Sequence, residues 1–205
     1  MKKKRLIIFD LDGVLIDSVL NMKSALHKTS LLLGINLKFN LYRKYLGLPF
    51  EKIMNKMGVT RDIQKIKKTY SYFSKKNISK IKIKKNHLIQ LKKLNKDFDF
   101  AVFTSKDKAR TNLILKRYTF FKYIVSSDDL KKGKPSKEGV IKILKKCKVE
   151  KKNCVYIGDS FYDYKAAKNS KILYLHAKWG YEKNLNKQFK IKEITNFTSI
   201  KKHLS

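Results

Sequence analysis

The apolar positions of this chain fall into short runs that alternate with segments of helical periodicity. Five runs rich in β-branched or aromatic residues predict strands, at residues 6–9, 100–103, 123–125, 155–157 and 172–175. Three segments between them repeat apolar residues at spacings of three and four, as amphipathic helices do, at residues 87–94, 109–115 and 140–144. This alternation predicts an α/β fold with a parallel sheet and helices on both faces.

One long interval breaks the alternation. Between residues 17 and 84 the pattern contains helix-like stretches at 18–33, 50–57 and 62–73, separated by glycines, and no convincing strand. We therefore predict an inserted helical cap at residues 17–84 and an α/β core formed by residues 1–16 and 85–205. An insert that follows the first strand lies beside the sheet's ligand-binding edge, where it can exclude water and select substrates.

Charge adds a competing interpretation. The chain carries 50 Lys and Arg against 16 Asp and Glu, a formal net charge of +34. Such a charge is typical of proteins that bind nucleic acid or another anionic surface. Lysine nevertheless outnumbers arginine heavily and is spread along the whole length, together with abundant Ile and Asn. We favour drift in an AT-rich coding sequence, and a basic nucleic-acid-binding protein is the less favoured alternative.

Other compositional features exclude several classes. The 42% hydrophobic content is that of a folded protein, and no apolar run approaches the roughly 20 residues of a membrane span. The basic start at residues 1–5 leads into an apolar run of only four residues, shorter than the roughly 7–15 of a signal peptide. We expect a cytoplasmic protein without membrane insertion, in which Cys147 and Cys154 are buried, reduced thiols. Its oligomeric state is left open.

The first predicted strand delivers two aspartates onto a glycine turn. Asp10 and Asp12 follow the run 6–9 and precede Gly13. Because strand side chains alternate with period two, the two carboxylates point the same way. Crowding them is costly unless they share a cation or a proton. This strand end is therefore a candidate Mg²⁺ or acid–base site.

Later strand ends supply complementary groups. Thr104 and Ser105 follow the second strand at a turn into a helix, where an N-cap hydroxyl and free amides suit a phosphoryl oxygen. Lys134 precedes Pro135, which we expect at position N1 of a helix. The fourth strand ends at Gly158 and leads to two more carboxylates, Asp159 and Asp163. Two pairs of carboxylates, a hydroxyl and an ammonium are what phosphoryl transfer through an aspartyl-phosphate requires.

These motifs resemble the four signatures of the haloacid dehalogenase superfamily phosphatases, in order and over essentially the full length. They are Asp10-Leu11-Asp12-Gly13-Val14, Thr104-Ser105, Lys134-Pro135 and Gly158-Asp159-Ser160-x-x-Asp163. The resemblance implies a Rossmann-like core with a helical cap of the C1 type. Softer matches point to the phosphoglycolate phosphatase-like group, among them Gly47-Leu48-Pro49 and Trp179-Gly180. Trp179-Gly180-Tyr181 follows the fifth strand and either forms a wall of the site or packs against the core, and we favour packing.

The resemblance also implies a role for each motif residue. Asp10 is then the nucleophile and Asp12 the general acid and base, while Thr104, Ser105 and Lys134 bind the phosphoryl group. Mg²⁺ lies on Asp10, the backbone carbonyl of Asp12, and Asp159. Gly13, Gly158 and Asp163 support this site. An acid at Asp12 favours a phosphatase over a dehalogenase, because a leaving alkoxide needs a proton.

The substrate is the least determined part of this hypothesis. We expect a small phosphorylated metabolite, either phosphoglycolate-like or a sugar phosphate. Related enzymes with the same architecture include nucleotide and pyrophosphate hydrolases. A β-phosphoglucomutase-like phosphotransferase would use the same core and keep the phosphoryl group. An enclosing cap suits small ligands and argues mildly against nucleic-acid ends.

Overall fold

A computed structural model describes residues 5–203 of the chain. The basic segment at residues 1–4 and the final residues 204–205 lie outside that range, and so does the corresponding part of the predicted core. Within residues 5–203, no helix combines the length and the hydropathy that a bilayer crossing needs.

The strands form one parallel sheet, which has six members within the described residues. They are β1 (Leu6–Phe9), β2 (Asp99–Phe103), β3 (Phe121–Val125), β4 (Cys154–Gly158), β5 (Leu173–Ala177) and β6 (Glu193–Ile194). Their order is β3-β2-β1-β4-β5-β6, and every neighbouring pair is parallel. The predicted α/β class and the five predicted strands are confirmed. The sequence pattern missed β6, which is only two residues long.

Nine α-helices accompany the sheet in residues 5–203. They are α1 (Val19–Leu33), α2 (Phe39–Arg43), α3 (Phe50–Lys56), α4 (Ile63–Lys76), α5 (Lys85–Leu94), α6 (Lys108–Leu115), α7 (Glu138–Cys147), α8 (Phe161–Ser170) and α9 (Leu185–Phe189). Short 3₁₀ turns lie at Ile78–Lys80, Ser127–Asp129, Lys151–Asn153 and Phe197–His203. All six helices predicted from periodicity are present.

The placement of Pro135 at a helix N1 position was wrong. Helix α7 begins three residues later, at Glu138. Ser136 N donates to Gly133 O at 3.1 Å, so the backbone around Pro135 forms a turn instead. The Glu138 carboxylate accepts hydrogen bonds from the backbone amides of Lys131 and Lys132 at 3.0 and 2.7 Å, which holds this loop against the start of the helix.

Two apolar layers sandwich the sheet, one on each face. In β1 the side chains of Ile7 and Phe9 pack into one layer, and those of Leu6 and Ile8 into the other. All four are fully buried. Burial of both faces explains why the central strands read as continuous apolar runs rather than as alternating ones.

The elements between β1 and α5 are α1–α4 and a 3₁₀ turn, and they have an apolar cluster of their own. Leu26 of α1, Ile53 and Met54 of α3, and Ile66 and Tyr70 of α4 are buried in it. Side chains of these helices line one cavity together with Asp10, so they lie at the end of the sheet where β1 delivers Asp10. The exact limits of the cap, residues 17 and 84, stay a prediction.

Candidate active site

The carboxyl ends of β1, β2 and β4 meet at one edge of the sheet, because β1 pairs with both other strands. Asp10 N continues this ladder by donating to Ile157 O at 2.8 Å. The structure thereby brings together Asp10, Asp159 and Asp163, whose carboxylate oxygens lie within 4.8 Å of one another. All three are buried, so their mutual repulsion is poorly screened.

Lys134 lies between two of these carboxylates. Its Nζ is 2.6 Å from Asp10 Oδ1 and 2.6 Å from Asp163 Oδ1, and the side chain is 0% exposed. Although burial disfavours an ammonium, Asp10 and Asp163 raise the pKa of Lys134 above its ordinary value. Lys134 therefore stays a cation and offsets part of the charge of the cluster.

Asp163 is the most fully bonded of the three. Its Oδ1 accepts from Lys134 and from Tyr156 OH, the latter at 2.7 Å, while its Oδ2 accepts from Ser160 N and Ser160 Oγ at 3.1 and 2.6 Å. Burial alone would raise the pKa of Asp163, but Lys134 and these donors lower it. A side chain on Gly158 would clash with Asp163, which explains why the motif begins with glycine. Asp163 thus braces Lys134.

Asp10 and Asp159 are less well compensated. Burial raises the pKa of Asp10 to about 7 against the opposing effect of Lys134, and the neighbouring charges of Asp163 and Asp12 add to the rise. Burial, Asp10 and Asp163 also raise the pKa of Asp159 well above its ordinary value, although Tyr181 N donates to its Oδ2 at 2.6 Å. This pair of carboxylates needs a further positive charge to be stable in ionised form.

The donor set fits a hard divalent cation. Asp10 and Asp159 offer carboxylate oxygens, the ligands that Mg²⁺ prefers, while the oxygens of Asp163 already accept four hydrogen bonds. Gly13 leaves room beside the cluster, because a Cβ at this position would clash with the Asp159 carboxylate. Its φ of +89° also favours glycine.

Asp12 lies outside the group of three carboxylates and has different partners. Lys106 Nζ is 3.1 Å from Asp12 Oδ1, and Ser18 Oγ donates a short hydrogen bond to the same oxygen. Ser18 N in turn donates to Tyr181 OH at 3.0 Å. Asp12 is partly exposed to the cavity described below, so its carboxylate can exchange protons with a bound molecule.

Thr104 and Ser105 reach the site, but neither caps a helix. Thr104 is buried and its Oγ1 accepts from Lys106 N at 3.1 Å, while Ser105 Oγ donates to Gly47 O of the cap at 2.6 Å. Helix α6 begins later, at Lys108, and Asp107 caps it by accepting from Arg110 N. The expectation of a Ser/Thr cap here was wrong, because Asp107 supplies a stronger acceptor three residues on.

The packing interpretation of residues 179–181 holds for Trp179 alone. Its ring packs edge-on against Phe197, and its Nε1 donates to Val14 O at 2.9 Å. A Cβ on Gly180 would clash with Asp159, and Tyr181 contacts both Asp159 and Ser18. Sequence reasoning preferred packing to a place in the site wall for Tyr181 and did not single out Ser18, and the glycine beside Trp179 was the available signal that backbone approaches the site here.

A cavity of about 190 Å³ lies between the strand ends and the cap. Asp10, Asp12, Thr104 and Asp159 form its core side, and mostly apolar cap residues form the other, including Met22, Tyr42, Leu48, Phe50, Ile53 and Tyr70. Its volume is below the roughly 300–1,000 Å³ of typical ligand pockets. The site therefore suits a small molecule with its reacting group near Asp10.

Comparison with known proteins gives consistent matches. The model of the haloacid dehalogenase-like hydrolase family matches residues 7–177. A phosphoglycolate phosphatase of Aquifex aeolicus is 30% identical over 199 residues, which are 90% of this chain and 89% of that protein. A protein of Caldanaerobacter subterraneus subsp. tengcongensis named "Putative pyrophosphatase PpaX" is 27% identical over 178 residues, covering 84% and 81%. The crystal structure of CbbY from Rhodobacter sphaeroides in complex with phosphate superposes with a TM-score of 0.81 at 16% identity, covering 96% of each chain.

Proposed function

The chain belongs to the haloacid dehalogenase-like hydrolase family, and on that premise we propose that it is a Mg²⁺-dependent phosphatase of small phosphomonoesters that works through an aspartyl-phosphate on Asp10. The observation that carries this proposal is the contact of Lys134 with both Asp10 and Asp163. It orients the Asp10 carboxylate at the end of β1, and its cation stabilises negative charge that develops beside it.

Two carboxylates divide the chemistry. An Asp10 oxygen attacks phosphorus, the bond to the leaving oxygen breaks, and Asp12 gives its proton to that oxygen. Water then attacks the phosphorus of the aspartyl-phosphate, Asp12 takes up the proton, and Asp10 is released with inorganic phosphate. The different surroundings of the two residues support this division, because Asp10 is buried against Lys134 while Asp12 reaches the cavity.

The remaining motif residues hold the phosphoryl group. Lys134 contacts Asp10 and Thr104 lines the same cavity as Asp10, and we assign both to the phosphoryl oxygens, with Ser105 contributing from the core–cap contact. Asp10, Asp159 and the Asp12 carbonyl would hold Mg²⁺, which supplies charge neutralisation to the cluster and to the transferring phosphoryl group.

The cap determines access to this chemistry. We propose that residues 17–84 act as a lid, since their side chains form the far wall of the cavity. The contact of Ser105 Oγ with Gly47 O joins the two parts at the cavity. A closed lid excludes water from the first step and restricts substrates to small molecules.

The relatives support two candidate substrate classes. The Aquifex aeolicus relative is a phosphoglycolate phosphatase, which supports a small phosphorylated acid. The relative named as a pyrophosphatase supports pyrophosphate or a nucleotide as a second candidate. A β-phosphoglucomutase-like transferase would differ by passing the phosphoryl group to a second hydroxyl. Nucleic acid is not favoured, because the cavity is small and covered.

Phosphate release tests the proposal. Purified protein is offered 2-phosphoglycolate, sugar phosphates, nucleotides and pyrophosphate, with Mg²⁺ and with EDTA. We expect Mg²⁺-dependent release from at least one of them and a loss of about 1,000-fold or more in Asp10→Asn. Asp97→Asn changes an exposed carboxylate that pairs with Lys201 far from the site and serves as control. Normal turnover by Asp10→Asn would refute the mechanism.

A further inference from the structure

Arginine is rare in this chain and is enriched at the cavity. Of the 50 basic residues only five are arginines, at positions 5, 43, 61, 110 and 117. Two of the five, Arg43 and Arg110, line the catalytic cavity, where the lining also includes a single lysine, Lys106. A chain that fills its surface with lysine has arginine at the two places where a planar, multidentate donor can face a ligand.

Arg110 is held rigidly where the core meets the cap. It is 5% exposed, its Nε is 2.5 Å from Asp107 Oδ2, and its Nη1 donates to Ser74 Oγ of α4 at 3.3 Å. Its guanidinium carbon lies 5.0 Å from the ring centre of Tyr70. These contacts use two of the five N–H donors of a guanidinium. They fix the group against the cavity wall, so little further entropy is lost when it binds a ligand.

Arg43 adds a second cation on the cap side. It lies at the end of α2, is exposed, and lines the cavity. Among residues 5–203 no carboxylate forms an ion pair with its guanidinium. The hydroxyls of Tyr42 and Tyr70 lie 3.5 Å apart on the same wall. Burial keeps the pKa of Tyr42 well above its ordinary value, so its phenol remains a donor at neutral pH.

These groups have no evident role towards the transferring phosphoryl group. That group already has Lys134, Thr104 and the proposed Mg²⁺ beside Asp10, whereas the two arginines and two tyrosines line other parts of the same cavity wall. A neutral sugar needs acceptors as well as donors, and at Glu182, which also lines the cavity, one of the two carboxylate oxygens already accepts from Phe161 N at 2.8 Å. Two guanidinium groups and two phenols beside the otherwise largely apolar cap side of the lining match an acceptor-rich anion.

We infer that the enzyme selects substrates whose leaving group carries a second anionic group, a carboxylate or a phosphate, and that Arg110 and Arg43 bind this group. The inference rests on the phosphatase function proposed above and narrows its substrate class. It favours phosphorylated acids and pyrophosphate-like compounds over sugar phosphates, and it makes the two arginines specificity determinants.

Matched substrate pairs test it. 2-Phosphoglycolate and ethyl phosphate share a phosphoester and two carbons but differ in the carboxylate, while pyrophosphate and methyl phosphate differ in the second phosphate. We expect kcat/KM of the wild type to be at least about 10-fold higher for the anionic member of one pair or both, and the preferred pair identifies the group. Equal kcat/KM within both pairs would overturn the inference.

Variants of Arg110 and Arg43 then test whether these residues cause the preference for the anionic substrate. Arg110→Gln and Arg43→Gln should each lower kcat/KM about 10- to 100-fold for the anionic substrate and leave the matched alkyl phosphate nearly unchanged. Arg110→Lys should recover part of the loss. Arg117→Gln changes an exposed arginine just beyond α6 and should have no effect. Because Arg110 also contacts Asp107, circular dichroism checks that the Arg110 variants are folded. Arg43 is exposed, so its variant tests the substrate preference independently of such a structural effect.

The outcomes separate the inference from the function on which it rests. If the arginine variants lose activity equally towards both members of a pair, the residues are structural and the inference fails. If the wild type hydrolyses ethyl phosphate and methyl phosphate as well as their anionic partners and Asp10→Asn hydrolyses none of the four compounds, the phosphatase function holds and the inference fails. If neither the wild type nor Asp10→Asn releases phosphate from any of the four compounds, the proposed phosphatase function fails, and the inference that depends on it fails too.

Discussion

The catalytic cluster and the cap wall of the same cavity are built in opposite ways. In the cluster, Lys134 and Asp163 are buried and every oxygen of Asp163 accepts hydrogen bonds from fixed donors. On the cap wall, aromatic and aliphatic side chains such as Phe50 and Ile53 pack into the cap's own apolar cluster. One surface is held by charge and hydrogen bonds, and the other by apolar packing.

The difference shows where each function resides. Chemistry on phosphorus depends on a few atoms at fixed positions, so a network of buried polar contacts suits it. Selection of the leaving group depends on the shape and charge of a wall, which can vary while the fold is kept. Polar contacts also cross from the cap to the core, among them Ser105 to Gly47, Arg110 to Ser74 and Ser71 to Asp107.

Lys134→Met should break the cluster most severely. It leaves Asp10 and Asp163 buried without their common cation, which we expect to lower the free energy of unfolding by about 3–5 kcal/mol. Urea denaturation measures this loss. Lys75→Met changes an exposed lysine of α4 and should stay within about 0.5 kcal/mol of the wild type. If the two variants were equally stable, Lys134 would not be the cation that holds the cluster.

The pH dependence of activity should reveal the poorly compensated charge of Asp10. Its pKa of about 7 lies above the ordinary value, so below pH 7 the protonated, non-nucleophilic form accumulates in the free enzyme. At low Mg²⁺, kcat/KM should fall about 10-fold per pH unit on this side. Saturating Mg²⁺ favours the ionised form and should move the acid limb to lower pH. If the pH at which kcat/KM falls on the acid side were independent of the Mg²⁺ concentration, this account would be contradicted.

Ser105→Ala should have a smaller effect, because it alters one hydrogen bond between the core and the cap and leaves the catalytic cluster intact. It removes the hydrogen bond to Gly47 O that joins core and cap, a loss of about 0.5–1.5 kcal/mol. If this bond favours the closed lid, KM should rise about 2- to 10-fold. Ser199→Ala removes a similar bond, from Ser199 Oγ to Asn196 O at 2.7 Å, and should leave KM unchanged. Identical kinetics of both variants would show that Ser105 does not control closure.

Sequence patterns were sufficient for the parts of the site that depend on topology. Asp10, Thr104 and Asp159 follow separate strands, and the parallel sheet alone brings their positions together. Local sequence also predicted the strands and most helices, because both faces of the sheet are buried and the helices are amphipathic. The loop details around Pro135 and Asp107 differed. The Asp107 side chain caps α6, and α7 begins only at Glu138, after the turn around Pro135.

Contacts between distant segments could not be read from the sequence. Tyr181 and Ser18 are separated by 163 positions, yet Tyr181 OH accepts from Ser18 N and thereby places the hydroxyl that bonds to Asp12. Arg110 likewise meets Ser74 and Tyr70 only because α4 of the cap folds against α6. Such pairs carry no short motif, so only the tertiary structure reveals them.

Chemical trapping of the phosphorylated enzyme tests the central claim most directly. Borohydride reduces an acyl phosphate to an alcohol, so an aspartyl-phosphate on Asp10 should yield homoserine at position 10. Wild-type protein quenched during turnover of its best substrate and digested should show this conversion by mass spectrometry, and protein quenched without substrate should not. Turnover without modification at Asp10, or with modification at another carboxylate, would contradict the proposed mechanism.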